Sequence, residues 1–323
     1  MYQLITLLFI VILVPAVLAG YIIGGEFILQ RLARGPAQAR IRPWLWVGPA
    51  LLLVAFMLIY PSLDTIRISF FNRPGTGFVG LANYGDVLDD RAVLIAVRDN
   101  LMWIILYTAL VLLFGLALAV LADRVRYEQL VKSLIFMPMA VSFVAMGVIW
   151  KFVYSYQPPG APQTGTLNAA VSGLLHTDPI AWLIDGRFNN FALIFVAVWG
   201  WTGFAMVILS ASLKGIPAEL LEAARVDGAG ELTIFRRVIF PLMLPTVTVV
   251  GTTLVIFALK AFDIVYVMTG GNYDTEVLAN RMYKEMFTNT NNARASAVAV
   301  VLLLAVIPVL IFNLRRLREE TAR

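Results

Sequence analysis

Leu101-Met102-Trp103-Ile104-Ile105-Leu106-Tyr107-Thr108-Ala109-Leu110-Val111-Leu112-Leu113-Phe114-Gly115-Leu116-Ala117-Leu118-Ala119-Val120-Leu121-Ala122 runs without a charged side chain. As an α-helix it is about 33 Å long, enough to cross about 30 Å of hydrocarbon. Comparable runs recur at about residues 4–25, 44–63, 134–153, 190–212, 246–268 and 295–314. The expectation is an all-α, polytopic membrane protein with about seven transmembrane helices. Composition agrees: 60% of the 323 residues are hydrophobic and 14% charged, with mean hydropathy +0.83. A soluble domain carries about 25% charged residues.

With no cysteine, disulfide scaffolds, thiolate zinc sites and cysteine nucleophiles are excluded. His176 is the only histidine, so a multi-histidine metal site is excluded too, and beside Thr177-Asp178-Pro179 it reads as a solvated loop residue. The net charge of +5 does not point to nucleic acid, because the basic residues lie scattered between apolar spans.

Their distribution instead predicts orientation. Arg31, Arg34, Arg40 and Arg42 follow the first span, and Arg124, Arg126 and Lys132 the third. Lys214, Arg225, Arg236 and Arg237 follow the fifth, and Arg315, Arg316, Arg318 and Arg323 form the tail. These four segments hold 15 of the 25 Lys and Arg, which places them in the cytoplasm, the amino terminus outside and the carboxyl terminus inside. A cleaved signal peptide ending near Val17-Leu18-Ala19 is the rival for the first span. Met1-Tyr2-Gln3 lacks the positive n-region it needs, and the apolar run continues past the cut. The opposite side has three longer loops, 71–99, 154–189 and 269–294, sized for a docking surface rather than for domains.

The segment between spans five and six carries most information. Pro217 is placed to start a helix, with Glu219 and Glu222 near its positive end. Leu220, Ala223, Ala224 and Asp227 follow at three- and four-residue steps along one side, and the alanines admit a close-approaching backbone. Gly228 and Gly230 can take positive φ and end the helix. A second amphipathic piece, Glu231 to Ile239, runs until Pro241 breaks it. The expected product is a short helix–turn–helix projecting from the cytoplasmic face. Physical grounds alone favour an interfacial connector whose leucines rest on lipid headgroups.

Glu222-Ala223-Ala224, Asp227-Gly228-Ala229 and Ile239-Phe240-Pro241 resemble the EAA loop of binding-protein-dependent ABC importer permeases, with Phe240 where leucine is usual. Gly77-Phe78-Val79-Gly80-Leu81-Ala82-Asn83-Tyr84, Phe136-Met137-Pro138, Trp150-Lys151-Phe152 and Thr269-Gly270-Gly271 are similar to stretches of the sugar-importing, maltose-permease-like branch, and within it to the α-glucoside type. The resemblance covers residues 43–314. It implies residues 1–42 as an extra amino-terminal helix with a basic linker, and 43–323 as a type I importer transmembrane domain with its coupling loop at about 214–245. It implies a bacterial inner-membrane assembly of two permease subunits, two ATPase subunits and an extracytoplasmic sugar-binding protein. Glu222, Ala223, Ala224, Asp227, Gly228, Ala229 and Pro241 would couple to the ATPase. ATP and Mg would be bound there, since this chain has no G-x-x-x-x-G-K-[ST] run and is expected to be non-catalytic.

Polar groups within a span usually face protein or water. Lys260 and Asp263, three apart in span six, can meet on one helix face with Tyr266 three further on. They read either as a hydrogen-bonding patch on the solute pathway, or as a self-neutralising ion pair or Lys260 snorkelling along the helix. Trp199 and Trp201 offer aromatic faces to a pyranose ring. Resemblance to the maltose-type site adds Met139, Phe143 and the neighbourhood of Ala258 to Ala261. Several of these are apolar where such a permease has Tyr, Ser or Asn, leaving selectivity open to the partner permease or the binding protein. Other readings are a permease for a polyol or glycerol phosphate, an ion-coupled secondary transporter, which would show related halves, and a membrane enzyme, which would want paired intramembrane carboxylates or histidines.

Overall fold

The computed structural model describes residues 2–32 and 35–321, and the chain divides into two compact units, Met1–Arg67 and Ile68–Arg323. The first holds α1 (Tyr2–Leu32) and most of α2 (Pro36–Ile68). Pro61 offers no N–H to the carbonyl four residues back, and α2 absorbs the gap with a π turn at Ala55–Ile59.

The second unit is a helical bundle. Its elements are α3 (Ala82–Leu88), α4 (Arg91–Ala122), α5 (Glu128–Phe136), α6 (Phe143–Val153), α7 (Thr166–Leu175), α8 (Asn189–Lys214), α9 (Ala218–Val226), α10 (residues 231–259), α11 (Asp263–Met268), α12 (residues 278–288) and α13 (Asn292–Thr321). Among the described residues, α2, α4, α8, the stretch Glu231–Met268 and Asn292–Phe312 are long and apolar enough to cross a membrane. α5 with α6 forms a sixth if that bent pair is one span. With α1 this matches the expected helical class of about seven.

Two expected spans are not straight. Residues 134–153 bend by 98° between α5 and α6. Pro138 tightens Met137–Ala140 into a 3₁₀ turn, Val141 is extended, and Ser142 caps α6 by accepting the Ala145 N–H. Residues 246–268 break at Lys260–Phe262, where Asn100 of α4 donates its amide to the Ala258 and Leu259 carbonyls while its oxygen accepts the Leu278 N–H. The freed backbone groups are thus satisfied by a neighbouring helix. The loops also hold helices α3, α7 and α12.

α8 is the hub, with 72% of its most apolar window buried against 22–33% for the other spans of this unit. Small residues allow that burial. A Cβ on Gly115 of α4 would lie 2.6 Å from that of Ala205, and one on Gly203 would lie 2.6 Å from the Ile135 carbonyl oxygen of α5. The starts of α4 and α8 meet the same loop, since Arg98 and Asn190 both donate to the Asp274 carbonyl. Their ends meet too, with Lys214 3.7 Å from Asp123. The two helices therefore run parallel, and α9 projects beyond their shared far end.

Candidate functional site: an exposed helix and a mid-bundle cavity

α9 has no buried residue. Glu219, Glu222, Ala223 and Asp227 are exposed, Ala224 and Ala229 half-buried, and Val226 is 88% exposed. Pro217 sits one residue earlier than expected, as the N-cap. Gly228 (φ 78) closes a Schellman motif: its N–H donates to the Arg225 carbonyl, and that of Ala229 donates to Ala224. Gly230 does not take positive φ. It is extended and starts α10, its carbonyl accepting the Thr233 and Ile234 N–H groups. Pro241 does not break the second piece either. A π turn at Phe235–Ile239 absorbs its missing donor, as at Pro61, and the helix runs on.

The turn is braced by Arg225 on Glu231 (3.2 Å). At the root of the loop, Glu128 of α5 binds Lys214 at 2.7 Å and also Lys132, which reaches Ser210 of α8. The projecting helix is therefore anchored at its base while its own face stays bare.

The second feature is a cavity of about 220 Å³ at mid-height of α8, enclosed by α4, α6, α8 and the break between α10 and α11. Phe143 stacks on Trp201 at 5.9 Å, and Phe257 lies against the same indole. Lys260, Asp263 and Ala258 also line it. Because the helix breaks between them, Lys260 and Asp263 share no helix face and make no ion pair among the described residues. The tertiary fold brings them to one cavity instead. Tyr266 is directed elsewhere, onto Phe262 and Tyr283. Trp199 stands on the other side of α8 against Trp150, and Met139 packs on the core without lining the cavity.

Sequence reasoning missed Trp103, Tyr107 and Phe262. The Trp103 Nε1–H and Tyr107 hydroxyl are buried in this wall with no protein hydrogen-bond partner. Asn100, Trp103 and Tyr107 lie at i, i+3 and i+7, a polar-tipped stripe that leads into the apolar run 101–122 and the signal that was available.

Residues 111–320 match the family described as binding-protein-dependent transport system inner membrane component. The chain belongs to that family. This permease is 52% identical over 276 residues to the osmoprotective compounds uptake permease protein GgtC of Synechocystis sp., covering 85% of this chain and 99% of the relative. It is 44% identical over 282 residues to the alpha-glucoside transport system permease protein AglF of Rhizobium meliloti, covering 87% and 84%. Among solved structures, a bacterial ABC transporter involved in the import of the acidic polysaccharide alginate matches with TM-score 0.75 over 86% of this permease and 96% of that chain; its 19% identity speaks to the fold alone. The protein is thus a non-catalytic inner-membrane subunit of a binding-protein-dependent ABC importer, with ATP hydrolysis in separate subunits.

Proposed function

We propose that the permease carries a neutral glycoside of the α-glucoside class through the mid-bundle cavity, and that α9 couples this movement to the ATPase. The observation that carries the first part is the cavity wall. Aromatic faces suit the apolar C–H faces of a pyranose, and the accessible Lys260 ammonium and Asp263 carboxylate on the same wall can hydrogen-bond its hydroxyls. The volume is below the roughly 300–1,000 Å³ of drug-sized pockets, which suits one ring at a time. The likeness to AglF supports the substrate class. A second reading, glycerol phosphate, is favoured by Lys260 and by 31% identity to the sn-glycerol-3-phosphate transport system permease protein UgpA of Agrobacterium fabrum. Asp263 on the same cavity opposes it, since a carboxylate repels a phosphate dianion.

In the coupling role, the bare small-residue face of α9 seats in a cleft of the ATPase, with Glu222, Ala223 and Ala224 at the contact. Gly228 and Ala229 fix the turn, and Pro241 sets the π turn within α10 that follows it. ATP and Mg stay in the partner. The remaining partners are a related second permease, two ATPase subunits and an extracytoplasmic sugar-binding protein. The arginine and lysine distribution supports the amino terminus outside and the carboxyl terminus inside, with residues 1–42 as the added helix and 43–323 as the transmembrane domain.

The test is uptake into proteoliposomes holding the whole transporter and its binding protein, with radiolabelled sucrose, trehalose, maltose and sn-glycerol 3-phosphate. Uptake of an α-glucoside, lost in Lys260→Met Asp263→Ala, is the expected result. Uptake of the phosphate alone overturns the glycoside reading.

A further inference from the structure

A second cavity, of about 510 Å³, lies at the end of the bundle opposite α9. It joins two sequence stretches that the mid-bundle cavity leaves unused, Trp150-Lys151-Phe152 and Thr269-Gly270-Gly271. α6 and α11 bring them together at Gly147, where a Cβ would already stand 3.2 Å from that of Val267. Lys151, Tyr156, Tyr266, Asn272 and Tyr273 line the cavity.

Its rim is built at a cost. Tyr273 (φ 60) and Asp274 (φ 58) are consecutive non-glycine residues in the left-handed region, one residue beyond Gly270 (φ 63) and Gly271 (φ 74) at the start of the same loop. Such residues are strained and persist only where the surroundings over-determine them. Here the buried Asn189 donates to the Tyr273 carbonyl at 2.6 Å, and Asn190 and Arg98 donate to that of Asp274 at 3.1 and 3.0 Å. The strain does not serve to bury the ring, because Tyr273 stays 53% exposed over the cavity. Tyr266 is likewise 44% exposed. Lys151 has no carboxylate within ion-pair distance among the described residues. The one hydrogen bond it makes there is a long one, 3.4 Å, to the Val267 carbonyl.

We propose that this cavity is a vestibule that receives a neutral glycoside before it enters the mid-bundle cavity. The Tyr273 ring provides a stacking face, and the Lys151 ammonium and Tyr156 hydroxyl hydrogen-bond the sugar oxygens. α11 links the two sites: Asp263 and Ile264 line the inner cavity, and Tyr266, Val267 and Met268 the vestibule. A solute leaving one passes along a helix of six residues to the other. The substrate class rests on the reading under Proposed function; the site itself rests on the geometry above.

The chain has no cysteine, which allows a direct test. In the complete transporter held in nanodiscs, Ile184→Cys places one thiol on the vestibule wall, and Leu174→Cys places one on an exposed helix away from it. Modification by a methanethiosulfonate reagent, read by mass on this chain, is followed with sucrose, trehalose, maltose or sn-glycerol 3-phosphate present. The expected result is that an α-glucoside slows modification at Ile184→Cys at least threefold and leaves Leu174→Cys unchanged. Adding Lys151→Met or Tyr273→Ala should remove that protection, with the Leu174→Cys rate unaltered as the check on folding. Protection that survives both substitutions overturns the assignment to these residues. Protection by the phosphate alone overturns the neutral glycoside as its ligand. No protection by any probe overturns the vestibule, and uptake by the same preparation shows separately whether the α-glucoside reading stands.

Discussion

The two ends of the bundle are built on opposite principles. Opposite α9, buried and half-buried charges interlock: Arg281 pairs with Asp90 at 2.7 Å and with the buried Glu285 at 2.6 Å, Arg294 joins both acids, and Lys284 pairs with the buried Glu276 at 2.7 Å. This network ties the start of α4 to α12 and α13. At the α9 end the ion pairs at the root of the loop and across its turn are more exposed, while the helix itself buries nothing. One end is stabilised from within the chain. The other is left for a partner, since a helix of nine residues without a buried face has little stability of its own.

Substitutions should separate the two ends. The largest loss of stability is expected from Glu285→Leu, which removes the buried carboxylate between Arg281 and Arg294, leaves both half-buried guanidiniums on Asp90 alone, and should cost about 3 kcal/mol. Thermal unfolding of the purified subunit in detergent would reveal it, and an unchanged midpoint would dissolve the contrast. Asn100→Leu comes next, at about 1–3 kcal/mol, because the Leu278 N–H and the carbonyls at the α10 break lose their partner. Its signature in hydrogen exchange should be faster exchange at Leu278, with α9 unaltered. Smallest in stability is Glu222→Trp on the bare helix, within about 0.5 kcal/mol. Expression and unfolding should stay as in the wild type while uptake and substrate-stimulated ATPase activity are abolished. Normal uptake by that variant would remove the coupling role.

The α9 loop was legible because its information is local. A start residue, a small-residue face and a glycine at the Schellman position lie within a dozen residues, and the structure departs only at Pro217, Gly230 and Pro241. The cavity was half legible. Phe143, Trp201, Lys260 and Asp263 meet there, but not through the one-face spacing first read for the last two. Trp199, Met139 and Tyr266 fall outside it, because which side of a helix faces the bundle depends on its neighbours.

Span length and apolarity, the class of the protein and the projecting loop were determined by the sequence alone, since the bilayer demands runs of about 20 apolar residues whatever their partners. The bend at Val141–Ser142, the break at Lys260–Phe262 and both cavities were decided by tertiary structure. A broken helix survives in an apolar setting only where another element satisfies the freed backbone groups. Asn100, some 160 residues from the break, is set there by the packing of α4 against α10.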